Sequence, residues 1–185
     1  MKRYAKQDFP TGQVRRFLEP GPVVLVSTAH GDERGIMTMG WHMMLGWNLV
    51  GTYLTAGTHS HRLARASGEC VINLPTFELL DIAVAIGNCS GADGDKFARF
   101  GLTAMSAARV RAPLIAECHS SFECTLLEAR DNANYDLLVW EVVHAHVAPV
   151  PRRPRTVHYR GEGEFMVSGK EVSRRRLFRP EMLPP

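Results

Sequence analysis

No apolar run in this 185-residue chain approaches the roughly 18 residues that a membrane-spanning helix needs. The opening MKRYAKQDFP lacks the apolar stretch of a secretory leader, so a cytoplasmic protein without a membrane segment is expected. Cysteine is scarce. Cys70, Cys89, Cys118 and Cys124 show no C-x-x-C spacing, which argues against a disulfide framework or a zinc knuckle and for reduced, mostly buried thiols. Excess charge is small as well: a net +3 is too mild for a nucleic-acid-binding domain. Neither G-x-G-x-x-G nor G-x-S-x-G occurs, which removes the Rossmann fingerprint and the nucleophile elbow. GEFMVSGKE fails as a phosphate loop, because its spacing is wrong and Glu171 stands where Ser or Thr must hold magnesium.

What is present is an ordinary globular composition, 45% hydrophobic and 22% charged, enough for one compact domain over residues 1–185. After the turn signal EPGP, PVVLVST (Pro22 to Thr28) reads as a buried strand, and AHGDERG (Ala29 to Gly35) as a polar hairpin loop. LVGTYLT (Leu49 to Thr55), ECVINLP (Glu69 to Pro75), SSFECTLLEA and LLVWEVVHAHV (Leu137 to Val147) are further strands. Short helices are expected over His59 to Ala66, over Thr76 to Ile86, and from about Asp93 to a C′ glycine at Gly101. Many strands with few helices between them argue for a β-barrel with peripheral helices rather than a doubly wound sheet. Residues 149–185 form a Pro- and Arg-rich arm, read either as a strap over the barrel or a partner subunit, or as a solvated tail.

Three places carry chemistry. The pairs His59/His61 and His144/His146 are H-x-H, and on a strand such a pair puts both rings on one face, as a metal requires. No third ligand is evident, so no metal is expected. LTAGTHSHRLARA gathers Thr55, Thr58, His59, Ser60 and His61 at a helix start, where free N–H groups and hydroxyls suit a phosphate; ordinary capping by Thr58 or Ser60 is the alternative. GIMTMGWHMM is odd for a strand. It packs Met37, Met39, Met43, Met44, Trp41 and His42 around Gly40. A glycine-interrupted strand end offers main-chain donors to the polar edge of a flat ring such as isoalloxazine, with Met and Trp against its face; a Met-rich core strand is the plainer alternative.

In series, MTMGWHM, LTAGTHSHRLARASGECVINLP, IGNCSGADGDKFARFGLT and VRAPLIAECHSSFECTLLE resemble the flavin-reductase-like, FMN-binding split-barrel family, nearest to its flavoredoxin branch. The likeness runs from Pro22 to about Tyr159. It implies a mainly β fold, a six-stranded antiparallel Greek-key split barrel with a few peripheral helices, assembled as a homodimer with FMN near the interface. It implies that Met37, Thr38, Met39, Gly40, Trp41 and His42 line the flavin ring. Thr55, Thr58, His59, Ser60 and His61 would serve the phosphate side, and Asn73, Cys89, Ser90 and Lys96 would lie near the pocket. His158 and Tyr159 match a C-terminal stretch that folds over the site. The implied activity is hydride transfer from NAD(P)H to flavin, with no acid or base supplied by the protein. A flavoredoxin-like carrier served by a protein partner, or a barrel that has lost FMN, are the alternatives. Gly35 stands where relatives often have Asn, Thr58 where they often have Arg or Lys, and GWNL replaces a usual proline pair.

Overall fold

The computed structural model describes residues 1–14 and 21–183; the Glu19–Pro20 half of the turn signal lies outside them. Twelve strands are described: β1 Gln7–Asp8, β2 Val24–His30, β3 Glu33–Met39, β4 His42–Met44, β5 Leu49–Thr55, β6 Glu69–Leu74, β7 Ala104–Met105, β8 Leu114–Ile115, β9 Ser120–Arg130, β10 Tyr135–Val147, β11 Val157–Gly161 and β12 Glu164–Val167. The main sheet is antiparallel in the order β3-β2-β6-β9-β10-β5-β4, with β1 also on β10. β2, β3, β5, β6, β9 and β10 are the six long strands expected, and the short β1 and β4 bring the sheet to eight.

The order forces the sheet to curl. β3 and β4 lie at opposite edges, yet only Gly40 and Trp41 separate them in sequence. Laid flat, six inter-strand spacings would hold them about 29 Å apart. Three Cα steps span at most about 11 Å. The edges therefore meet, and Gly40–Trp41 crosses the seam of a split barrel.

Alternation decides what fills it. Val24, Val26, Val50, Leu54, Ile72, Phe122, Leu138, Trp140 and Val142 pack inside, and the Trp140 indole donates to Thr52 Oγ1 at 2.8 Å. The β9–β10 register slips at Leu127 and again at Val143. The extra residue at Val143 inverts the alternation, so Ala145 and Val147 face the interior and His144 and His146 face out. The polar hairpin is tighter than its sequence indicates. β2 and β3 pair out to His30↔Glu33, which leaves only Gly31 and Asp32 as the turn.

Among the described residues, three α-helices cover the outside: α1 His59–Ser67, α2 Leu80–Gly87 and α3 Lys96–Arg99. Thr58 caps α1 by accepting from the His61 N–H, and Gly68 closes it at φ 66°. The helix expected to begin at Thr76 starts with a 3-10 turn, Phe77–Leu79, whose Phe77 N–H is donated to the Arg155 carbonyl of the arm. Asp95 caps α3 through the Phe97 N–H, so that helix starts three residues later than expected, after a 3-10 turn at Gly91–Asp93. A second apolar cluster, including Leu25, Ile36, Leu79, Ala83, Ile86 and Phe97, joins these helices to the barrel.

The arm starts as a strap. Val157 is buried and accepts the Val23 N–H at 2.7 Å, and β11 and β12 form a hairpin of their own. Beyond it, Leu177 and Phe178 are exposed. No described helix is long and apolar enough to cross a membrane.

Candidate functional site

A cavity of about 950 Å³ opens at the barrel seam. Its first wall is the end of β3 and the seam crossing, Met37 to Trp41, with Tyr53 to Thr55 from β5. Gly40 leaves open space here: a β-carbon would meet nothing within 4 Å. The methionine side chains turn away. Met39 is buried in the barrel core and Met37 packs against it, so the core-strand alternative describes their side chains and the wall is backbone. Thr38 Oγ1 is held 2.5 Å from the Ala83 carbonyl, which ties this wall to α2. Trp41 is exposed beside a stacked pair, Tyr53 and Tyr135, at 5.1 Å.

The second wall is the start of α1: Gly57, Thr58, His59, Ser60 and Arg62. The first N–H groups of a helix have no intrahelical acceptor, and the aligned peptides put partial positive charge there. Ser60 is buried. Arg62 donates to Glu33 Oε2 at 2.5 Å, and His59 Nε2 lies 3.2 Å from the same oxygen. The Arg62 hydrogen bond, then that of His59, holds the Glu33 carboxyl below its ordinary range. His59 Nδ1 is buried without a partner. The ring fits only because both neighbours are glycine: a β-carbon on Gly91 would lie 2.5 Å from Nδ1, and one on Gly35 3.2 Å from it. Gly35 thus helps to make room for His59.

The third wall runs from Ile86 to Ala92 with Lys96, and Gly21, Val23 and Tyr159 stand at the rim. Ser90 Oγ accepts from the Ala92 N–H at 3.1 Å. Lys96 donates to the Ile86 carbonyl at 2.9 Å, and burial pushes its ammonium below the ordinary value. The lysine thus fastens the loop that carries Cys89 and Ser90.

Three residues expected at the cavity do not line it. His42 lies on the inner face of β4, its Nε2 2.6 Å from the Pro22 carbonyl and its Nδ1 unpaired. Burial pushes its imidazole below the ordinary value, against the Pro22 bond, which raises it. His61 turns away: it accepts the Gly57 N–H at Nδ1 (3.2 Å), so Nε2 carries the proton toward Asp136 Oδ2 at 2.7 Å. Asn73 is fully buried on the outer side of the sheet. Its amide donates to Leu25 O, Ser27 Oγ and Val71 O and accepts from Ile115 N and Ser121 Oγ, which leaves nothing for a ligand. Conversely, Tyr53, Gly87, Asn88 and Gly91 line the cavity without having been singled out. The last three extend the expected Cys89-Ser90 segment by a residue or two, and their signal was simply its glycine-rich run.

A curled antiparallel barrel with a cavity of this size at its seam, walled by the end of β3 on one side and a helix start on the other, defines the split-barrel class. The sequence gives the family: the flavin reductase like domain matches residues 15–164, and the chain belongs to that family. YddH, an uncharacterized protein of Escherichia coli (strain K12), is 31% identical over 174 residues, 85% of this chain and 92% of that protein. An uncharacterized protein of Archaeoglobus fulgidus is 30% identical over 115 residues, and the match spans 65% of its length and 61% of this chain. Among solved structures, the FMN-binding domain of a flavin reductases-like enzyme from Shewanella baltica OS155 superposes with a TM-score of 0.83 at 23% identity, over 94% of this chain and 99% of that one. Flavoredoxin of Desulfovibrio vulgaris (Miyazaki F) does so with a TM-score of 0.77 at 23% identity, over 84% and 90%.

Proposed function

We propose that the seam cavity binds FMN and that the protein is an oxidoreductase of the flavin reductase type, taking a hydride from NAD(P)H. The observation that carries this reading is the convergence of the Met37–Trp41 backbone and the α1 start on one cavity of about 950 Å³. The residues present fit the group. Gly40 keeps main chain accessible beside open space, as a flat ring requires, and the α1 start with Thr58 and Ser60 supplies donors for a phosphate. His59 Nδ1, a buried polar atom without a partner, stands beside that end.

Bound FMN supplies a ring that accepts a hydride and passes electrons on. The chain's own task is to position. Main-chain groups of residues 38–41 would hold the polar edge, and the helix start would hold the anionic tail. Trp41, Tyr53 and Tyr135 form an aromatic cluster against which a nicotinamide ring would stack, by proximity rather than by acid–base chemistry. The reading also includes a homodimer. Trp41, Met43 and Leu45 are all exposed along the outward side of edge strand β4, a surface for a second copy next to the cavity.

The test is an FMN titration followed by flavin fluorescence, then anaerobic addition of NADH or NADPH with absorbance read at about 450 nm. Quenching followed by bleaching is expected. Quenching without bleaching by either nucleotide, but with reduction by a low-potential electron-transfer protein, selects the carrier alternative. Absence of quenching removes FMN from the site.

A further inference from the structure

The His144/His146 pair has what its sequence could not show, a third ligand. The inverted alternation after Val143 places both rings on the outer face, with their centroids 4.5 Å apart. Strand β1 pairs there with β10, setting Asp8 opposite His146, and Asp8 Oδ1 lies 3.0 Å from His144 Nε2. One ligand atom from each of the three residues falls within 4.8 Å of the others. The cluster is remote from the cavity: His144 lies nine residue steps along β10 from Tyr135, whose neighbour across the ladder is Thr55, or about 30 Å along the strand.

We propose that Asp8, His144 and His146 form a binding site for a divalent transition metal of the zinc class. Two imidazoles and one carboxylate are a donor set for such ions, and three protein ligands leave a coordination position for water. Bonds of about 2.1 Å set tetrahedral ligand atoms about 3.4 Å apart. Asp8 Oδ1 and His144 Nε2, at 3.0 Å, already lie close to that spacing, and the Asp8 side chain, 85% exposed against 19% and 15% for the two histidines, has room to adjust to an ion.

Behind the pair stands the partner that metal-binding histidines usually have. Glu123 is fully buried and lies 2.6 Å from His146 Nε2. Its two oxygens also accept the N–H groups of Ala108, Arg109 and Val110. A carboxylate so fixed orients the ring and leaves Nδ1 for the ion. The consequence of occupancy is mechanical. β1 pairs with β10 at Gln7↔Val147 and Asp8↔His146, the Phe9 N–H is donated to the Ala145 carbonyl, and a metal bridging Asp8 to β10 would add a further staple to the amino-terminal segment.

The test uses untagged full-length protein, with Co²⁺ as spectroscopic probe and Zn²⁺ as competitor. Tetrahedral ligand-field bands that Zn²⁺ abolishes are expected, together with Zn²⁺-dependent protection of residues 1–10 from amide exchange. Asp8→Ala, an exposed change that leaves the fold intact, should weaken binding at least tenfold, and His144→Gln with His146→Gln should abolish it. FMN binding should be the same in wild type and Asp8→Ala, so failure here is separate from failure of the flavin reading. Wild-type protein that shows no bands, or binding that Asp8→Ala leaves unchanged, overturns the site.

Discussion

The imidazole of His59 occupies the space that a β-carbon on Gly91 would need, with Nδ1 2.5 Å from that position. The ring cannot yield freely, because Nε2 is held by Glu33. Gly91→Ala should therefore displace His59 from the cavity wall. Overpacking of this kind costs about 1–3 kcal/mol of stability, and a displaced ring should weaken FMN binding about tenfold, or about 1.4 kcal/mol. Fluorescence titration reads it, and unchanged affinity would separate His59 from the flavin site.

Ser60→Ala tests the other side of the α1 start. Loss of one charge-assisted hydrogen bond should weaken FMN binding by about 1–2 kcal/mol. Riboflavin, which lacks the phosphate, should bind wild type and variant alike. An equal loss for both ligands would place Ser60 away from the phosphate.

Asn73→Ala should behave in the opposite way. It strips partners from buried groups on four segments, at a cost of about 3 kcal/mol in unfolding free energy. Flavin affinity of the folded protein should not change. Urea unfolding beside FMN titration distinguishes the two effects, and a selective loss of affinity would return Asn73 to the site.

Stability should decline in mild acid. Burial lowers the His42 and His119 imidazoles below their ordinary value of 6.5. The unfolded chain therefore binds more protons than the folded one once pH falls below 6.5, so stability rises with pH across that window and is lost on acidification. The carboxylates with lowered values, Glu33, Glu78, Asp95, Glu123 and Asp136, act lower, below their ordinary 4.5 and 3.8. Urea midpoints should drop between pH 7.5 and 5.5, and His42→Gln should flatten the drop. An identical slope in the variant would remove His42 as a cause.

Met43→Glu places a charge in the exposed apolar strip on β4. Size-exclusion chromatography with light scattering should then report half the wild-type mass. A wild type that already runs as a monomer, or a variant that stays dimeric, would contradict the proposed assembly.

Strand existence was legible because long apolar runs bounded by turn residues leave little choice; β5 spans the expected Leu49–Thr55. Which face a residue takes was less legible. His42 sits one residue from the exposed Trp41 and Met43 but opposite Thr52, whose side chain points inward, and a shift of one residue would reverse all of them. The cavity wall was legible as a cluster of segments, since backbone and helix starts leave local marks such as Gly40 and Thr58. Asn73 was misleading because a buried amide and a ligand-binding amide are the same letter. Asp8 could not be paired with His144 at all from sequence, because 136 positions separate them and only the sheet brings them together.

The extra residue at Val143 works like a change of reading frame within a single strand. Before it, β10 spells a barrel lining on its even positions; after it, the odd positions carry that text and the even ones spell His-x-His on the surface. A regular ladder that kept Val143 in step would leave the composition untouched and yet write two imidazoles into an apolar interior.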